Sequence, residues 1–410
     1  MDRADSTTPP RTAVRRLALG RVISLTGTFG ASTALNYAIW HRTHSSAWLA
    51  GTMLLTFGVI GFFGPVAGAI ADRFDRRRLM MFGETGAAAC WLAMSVVRSP
   101  AGLLALAFTA SVLESPFFPA SSAAIPNLAG ERNISWANSL ISMGRNAGIT
   151  LGPLLGGLLV AGFGAPVVFV ANTVSYLASV LLVSSVRGRF SDPHRRADDA
   201  ATHAGVLAGF RFIGRDRVLR TLALGWFVFL LGMGMSLVAD PALAESFRAG
   251  SLGYGLLTAA WGGGTILGSM LGRRATEDTE GRWLVACSFG LALTAFGVAF
   301  APVFAVAVAW VAVFGIADGP TLVIEQNLLQ RRTPDVVRGR VVSGFETVMH
   351  AGLSLALVLG GVIEPWLGPQ GTYAAAGAIA LVGSVIITPM LRWLPDRPAR
   401  VERAFNTVVR

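Results

Sequence analysis

Long apolar runs alternate with short charged segments along the 410 residues. About twelve of these runs approach the ~20 residues that a helix needs to cross a hydrocarbon layer of ~30 Å. They lie near 17–40, 47–71, 79–97, 101–125, 138–161, 164–186, 217–241, 252–272, 282–301, 303–326, 341–364 and 371–393. Backbone polar groups in lipid must be satisfied within the segment, so each run is predicted to be a helix. The longest polar stretch, residues 187–216, divides the runs six and six. The pattern predicts an all-α membrane protein of twelve transmembrane helices in two six-helix bundles. The expected parts are a cytoplasmic tail over 1–16, a bundle over 17–186, a cytoplasmic central loop over 187–216, a bundle over 217–393 and a cytoplasmic tail over 394–410.

Composition agrees with this pattern. Charged residues make up 14% of the chain, against about 25% in soluble domains. All of the basic residues are arginine, and the net charge is +11. Arg42, Arg98 and Arg248 fall on one side of the expected membrane, and Arg21 and Arg145 fall within runs. The rest lie on the side that holds both termini, which the positive-inside rule makes cytoplasmic. The charge therefore reads as topology, and no nucleic-acid partner is expected. Residues 1–16 carry Arg3, Arg11, Arg15 and Arg16, and no small-residue cleavage site follows the first run. This predicts an uncleaved first helix rather than a signal peptide. Cys90 and Cys287 fall in runs of opposite halves, so neither a metal site nor a disulfide is expected. No phosphate-binding loop and no nucleophile constellation occurs. Neither ATP, a cofactor nor enzymatic activity is expected.

The two halves echo each other. Gly68 and Arg73 recur 200 residues later as Gly268 and Arg273. Glu114-x-Pro116 in the fourth span recurs as Asp318-x-Pro320 in the tenth, and AGITLGPLLGGLL from Ala147 recurs as AGLSLALVLGGVI from Ala351, both 204 residues on. Repeated halves enclosing a shared site are a common plan among secondary transporters.

After the second span stands Gly68-x-x-x-Asp72-Arg73-x-x-Arg76-Arg77. It resembles the signature loop of the major facilitator superfamily, Gly-x-x-x-Asp-Arg-x-Gly-Arg-Arg/Lys, with Asp75 in place of the second glycine. The resemblance implies a cytoplasmic gate. Asp72 would meet the start of the eleventh span near Arg340, where a helix N-terminus and arginine donors favour a carboxylate. Glu84, Glu325 and Glu346 lie within about two turns of the cytoplasmic ends and are expected with that gate.

The fifth span reads Gly148-x-x-x-Gly152-Pro153-x-x-Gly156-Gly157. Glycines four residues apart leave a smooth face for close helix packing, and Pro153 removes a backbone donor. The stretch resembles the motif that marks proton-coupled exporters within the superfamily. The repeat keeps Gly360 and Gly361 in the eleventh span but has Ala356 and Leu357 where Gly152 and Pro153 stand. The Gly-Pro element thus belongs to one half only, as in exporters. Together with NISWANSL and PDVVRGRV before the fifth and eleventh spans, it resembles the bacterial drug and siderophore exporter branch.

Ionisable groups inside a membrane are costly and functional by default. Glu114 lies thirteen residues into the fourth span, roughly 20 Å at ~1.5 Å per residue, which leaves it about 10 Å from the cytoplasmic face. Arg145 lies at a similar depth in the fifth span, so a Glu114–Arg145 pair is expected, with Arg21 nearer the same face. By resemblance the first, fourth, seventh and tenth spans line a cavity, across which Glu114 and Asp318 would face each other. A carboxylate partly withdrawn from water takes up a proton more readily. Proton coupling is therefore expected at Glu114, Asp318, Arg145 and Arg21. Asn36, Tyr37, Trp226 and Phe229 would offer amide and aromatic cavity contacts, suited to flat or cationic amphiphiles, although Trp226 and Phe229 read equally as packing or lipid-facing aromatics. Asp240 is expected near the outer interface.

The expected function is export of small organic molecules by proton antiport from a bacterial plasma membrane, by a monomer whose partners are substrate, protons and lipid. An importer or facilitator of the same fold is the alternative within transport, and a transport-dead sensor or scaffold the alternative outside it.

Overall fold

The computed structural model describes residues 11–130, 133–186, 190 and 206–394. Gly68, Asp72 and Arg145 lie within helices but outside the residues whose side chains and surroundings are described. The expected C-terminal tail, apart from Leu394, and much of the expected central loop also lie outside the described residues.

The described chain is helical throughout. Its elements are α1 (Arg11–Thr43), α2 (Ser46–Arg73), α3 (Arg76–Met94), α4 (Pro100–Glu114), α5 (Phe117–Ala129), α6 (Ile134–Phe163), α7 (Ala165–Ser185), α8 (Val206–Arg215), α9 (Arg217–Ser246), α10 (Gly250–Gly272), α11 (Glu280–Ala299), α12 (Phe304–Arg332), α13 (Asp335–Ile387) and α14 (Met390–Trp393). Local chemistry sets several starts. Asp75 caps α3 by accepting from the Arg78 amide at 2.9 Å. Ser99 caps α4 ahead of Pro100, accepting from the Gly102 amide at 3.2 Å. Asp216 caps α9 through the Val218 and Leu219 amides. Each side-chain oxygen satisfies amides that the first helical turn leaves open.

Three expectations on boundaries are corrected. Helix α1 begins at Arg11, inside the expected tail. The expected central loop contains α8, whose Phe212 and Ile213 are buried. The fourth expected span is broken into α4 and α5 at Ser115–Pro116. Pro116 has no N–H for the Val112 carbonyl, and the Ser115 hydroxyl takes that carbonyl instead at 2.8 Å.

Among the described residues, six helical stretches are long and apolar enough to cross a membrane: 100–125, 165–185, 217–246, 280–299, 304–332 and 340–393. The last is far longer than the ~20 residues of one span, and it is broken at Gly368, where φ is 67°. Apolar helical stretches also occupy 46–56 in α2 and 147–163 in α6, while α1, α3 and α10 carry charges or many polar and small residues that lower their apolarity.

The chain divides into two compact units. Unit 1 is Met1–Thr43 with Leu55–Ala201, and unit 2 is His44–Leu54 with Thr202–Arg410. In unit 1, α1 packs on α6 and α7, and α3 packs on α4 and α7. Leu35, Ile39, Trp91, Leu103, Phe169 and Tyr176 form much of its core. In unit 2, α9 packs on α13 and α10 packs on α12, around Leu222, Trp226, Phe229, Leu291, Phe345 and Ile387. The first turns of α2 belong to unit 2, where Ser46 donates to the buried Glu364 and Gly361 lies against Ala47 and Ala50.

Candidate functional site

The helix break that ends α4 presents Glu114 at its last residue. The Tyr176 hydroxyl, from α7, donates to Glu114 Oε2 at 2.6 Å. Thr28 of α1 donates to the same phenol oxygen at 3.0 Å. The expected partner, Arg145, lies outside the described side chains, and sequence reasoning missed Tyr176. The signal was a tyrosine in an apolar run, one of only four tyrosines in the chain. Arg21 stacks over the Phe117 ring, 4.7 Å from its centroid.

Glu84 is closer to this site than to a gate. It is fully buried in unit 1 and accepts from the Ser179 hydroxyl at 2.8 Å. Arg21 and Glu114 both lie within electrostatic range of it. The spacing of α3 gave its depth but not the direction in which it faces.

In unit 2, Asp318 is buried on α12 and accepts from the Trp261 indole N–H of α10 at 3.3 Å. Glu325, one helical stretch on, is within electrostatic range of Asp318 and Glu346. Asp240, expected at the interface, is buried and accepts from the Tyr373 hydroxyl. Trp226 and Phe229 lie in the core cluster of unit 2, with 4% and 2% of their surface exposed, their rings meeting edge to face at 5.0 Å and Phe229 stacking on Phe314. Asn36 is buried, and Tyr37 is half-buried with its ring edge-on to His41.

The gate arginines are used locally. Arg76 is buried and donates to the Ala123 carbonyl at 3.0 Å and to that of Phe190 at 3.3 Å. Arg77 donates to the Ser184 carbonyl and lies over the Phe190 ring. Both therefore brace helix ends inside unit 1. Arg73 is exposed. In unit 2 the Arg340 carbonyl lies against Gly209 of α8, and Glu346 is exposed beside His350 at 3.8 Å. A charged cluster that the sequence did not reveal stands at the end of α12. Arg331 pairs with Glu277 at 2.9 Å and with Glu280, and Arg332 lies 3.7 Å from Asp216.

The profile of the transmembrane secretion effector family, of major facilitator type, matches residues 8–402. The chain belongs to that family. It is similar to the multidrug efflux pump Tap of Mycolicibacterium fortuitum, 28% identical over 372 residues that cover 84% of this chain and 87% of that protein. It is also similar to the enterobactin exporter EntS of Shigella boydii, 26% identical over 391 residues and 92% of each chain. Among solved structures it resembles a bacterial homologue of the human lysosomal transporter Spinster, with a TM-score of 0.71 over 98% of this chain and 99% of that one at 16% identity. That likeness concerns the fold. This transmembrane secretion effector is a multi-pass membrane transporter of small molecules and not an enzyme.

The glycine motif of the fifth span forms a close seam between α6 and α1 in unit 1. A Cβ on Gly152 would stand 2.8 Å from that of Phe29. One on Gly156 would stand 2.7 Å from the Cα of Gly30. Gly148 lies against Leu25 and Thr26 in the same way, and Pro153 and Gly157 are buried beside them. Only small residues let α6 approach the backbone of α1 this closely. Chemically, each unit holds carboxyl groups drawn away from water that accept from a phenol, a hydroxyl or an indole.

Proposed function

We propose that the protein is a twelve-span exporter, two six-helix halves with both termini in the cytoplasm of a bacterium, that moves small organic molecules outward in exchange for protons. The cargo is an amphiphilic drug-like compound or a secreted metabolite such as a siderophore. The observation that carries this reading is similarity across nearly the whole chain to exporters of two kinds of cargo, joined to the one-sided Gly-Pro seam between α6 and α1. Glu114 and Asp318, buried or half-buried acids within apolar helices, support coupling to protons.

Expression in a bacterium stripped of its own drug pumps tests the direction. The intracellular level of a fluorescent amphiphilic cation and the secreted small molecules are followed together. Lower accumulation, or a newly secreted compound, is the expected result. Raised accumulation would replace export with import.

A further inference from the structure

Glu84 stands out among the buried polar groups of unit 1. None of its surface is exposed. Ser179 satisfies Oε1, while Oε2 has no hydrogen-bond partner among the described residues. Ser24 of α1 lies within reach of the same carboxylate, and its Oγ is likewise fully buried and without a partner among the described residues. Two fully buried polar side chains from different helices therefore meet at one point.

The titratable and charged groups that face Glu84 from neighbouring helices are Arg21 of α1, Glu114 of α4 and Tyr176 of α7. Helix α5, which also packs on α3, carries none. An ionised Glu84 with one oxygen unpaired would be a costly charge inside the apolar unit, and a proton on that oxygen removes it.

We propose that Glu84 is the acid that holds this exchangeable proton, and that Glu114, half-exposed and fixed by Tyr176, is the group through which it arrives and leaves. The proton enters on Glu114, passes to Glu84 and leaves by the reverse path, so that Glu84 is neutral when loaded and ionised once the proton has gone. The role of this site in transport rests on the antiport reading above. Its chemistry does not.

Infrared difference spectra of the purified full-length protein, stepped between acidic and alkaline buffer, read the C=O stretch of a buried protonated carboxyl and require no cargo. Among the bands of the buried acids we expect one titrating component that is absent in Glu84→Gln, present in Glu114→Gln, and shifted in Ser179→Ala, which removes the bond to Oε1. A spectrum from which Glu84→Gln removes no titrating component, or a component that Ser179→Ala leaves unmoved, overturns the assignment. In energised vesicles, Glu84→Gln is expected to lower gradient-driven accumulation about tenfold or more, with Glu84→Asp restoring part of it. If wild-type transport ignores the gradient while the band still vanishes with Glu84, the antiport reading fails and the proton site stands.

Discussion

The Tyr176 hydroxyl donates to Glu114 Oε2 at 2.6 Å, and Thr28 donates to the same phenol oxygen at 3.0 Å. One buried phenol thereby ties α1, α4 and α7 together around an acid inside an apolar bundle. Tyr176→Phe leaves a carboxylate oxygen short of a donor, and is expected to cost about 1–3 kcal/mol. Thermal unfolding in detergent should show the loss, with Thr28→Val having the smaller effect. An unchanged unfolding temperature for Tyr176→Phe would mean that the bond is not a fixed part of the fold.

Packing between α6 and α1 leaves no room at Gly156. Gly156→Ala places a Cβ 2.7 Å from the Cα of Gly30, whereas Gly162 on the same helix has nothing within 4 Å of such an atom. Overpacking of this kind costs about 1–3 kcal/mol. Gly156→Ala should therefore lower the unfolding temperature and impair efflux, while Gly162→Ala should change neither. Equal behaviour of the two would remove the seam from the mechanism.

Asp75 departs from the family pattern at the loop after α2, and its carboxylate caps α3. Asp75→Ala is expected to cost about 1 kcal/mol, and Asp75→Gly, which restores the family residue, only a few tenths. Chemical denaturation of the two variants separates them. If Asp75→Gly proves the more damaging, the side chain serves something other than the cap.

Topology is open to labelling. With Cys90 and Cys287 replaced by serine, Ser6→Cys should react with an impermeant maleimide only after the cells are opened. Val96→Cys, 77% exposed beyond α3, should react in intact cells. The reverse pattern would invert the orientation and with it the direction of transport.

Much of this was legible in the chain. Run lengths foretold the long helices, and the four-residue glycine spacing foretold the close seam at Gly152 and Gly156. Positions that depend on direction were not. Depth along a helix put Glu84 near the gate, but only the packing of α3 against α7 turns it toward Ser179. Likewise Trp226 and Phe229 read equally well as cavity or core, since an aromatic ring in an apolar run carries no mark of which side it faces. Helix α8 was hidden because its ten residues, though mostly apolar, fall well short of a membrane span. The split of the fourth span was visible in Pro116, yet the rescue of the Val112 carbonyl by Ser115 depends on geometry.

The most direct test is uptake of a fluorescent amphiphilic cation into inside-out membrane vesicles made acidic inside. Wild-type protein is expected to accumulate the compound while the gradient lasts and to lose it when an ionophore collapses the gradient. Glu114→Gln and Asp318→Asn, folded but uncharged at these sites, should accumulate little. Accumulation that survives collapse of the gradient, or that both variants retain in full, would contradict proton-driven export.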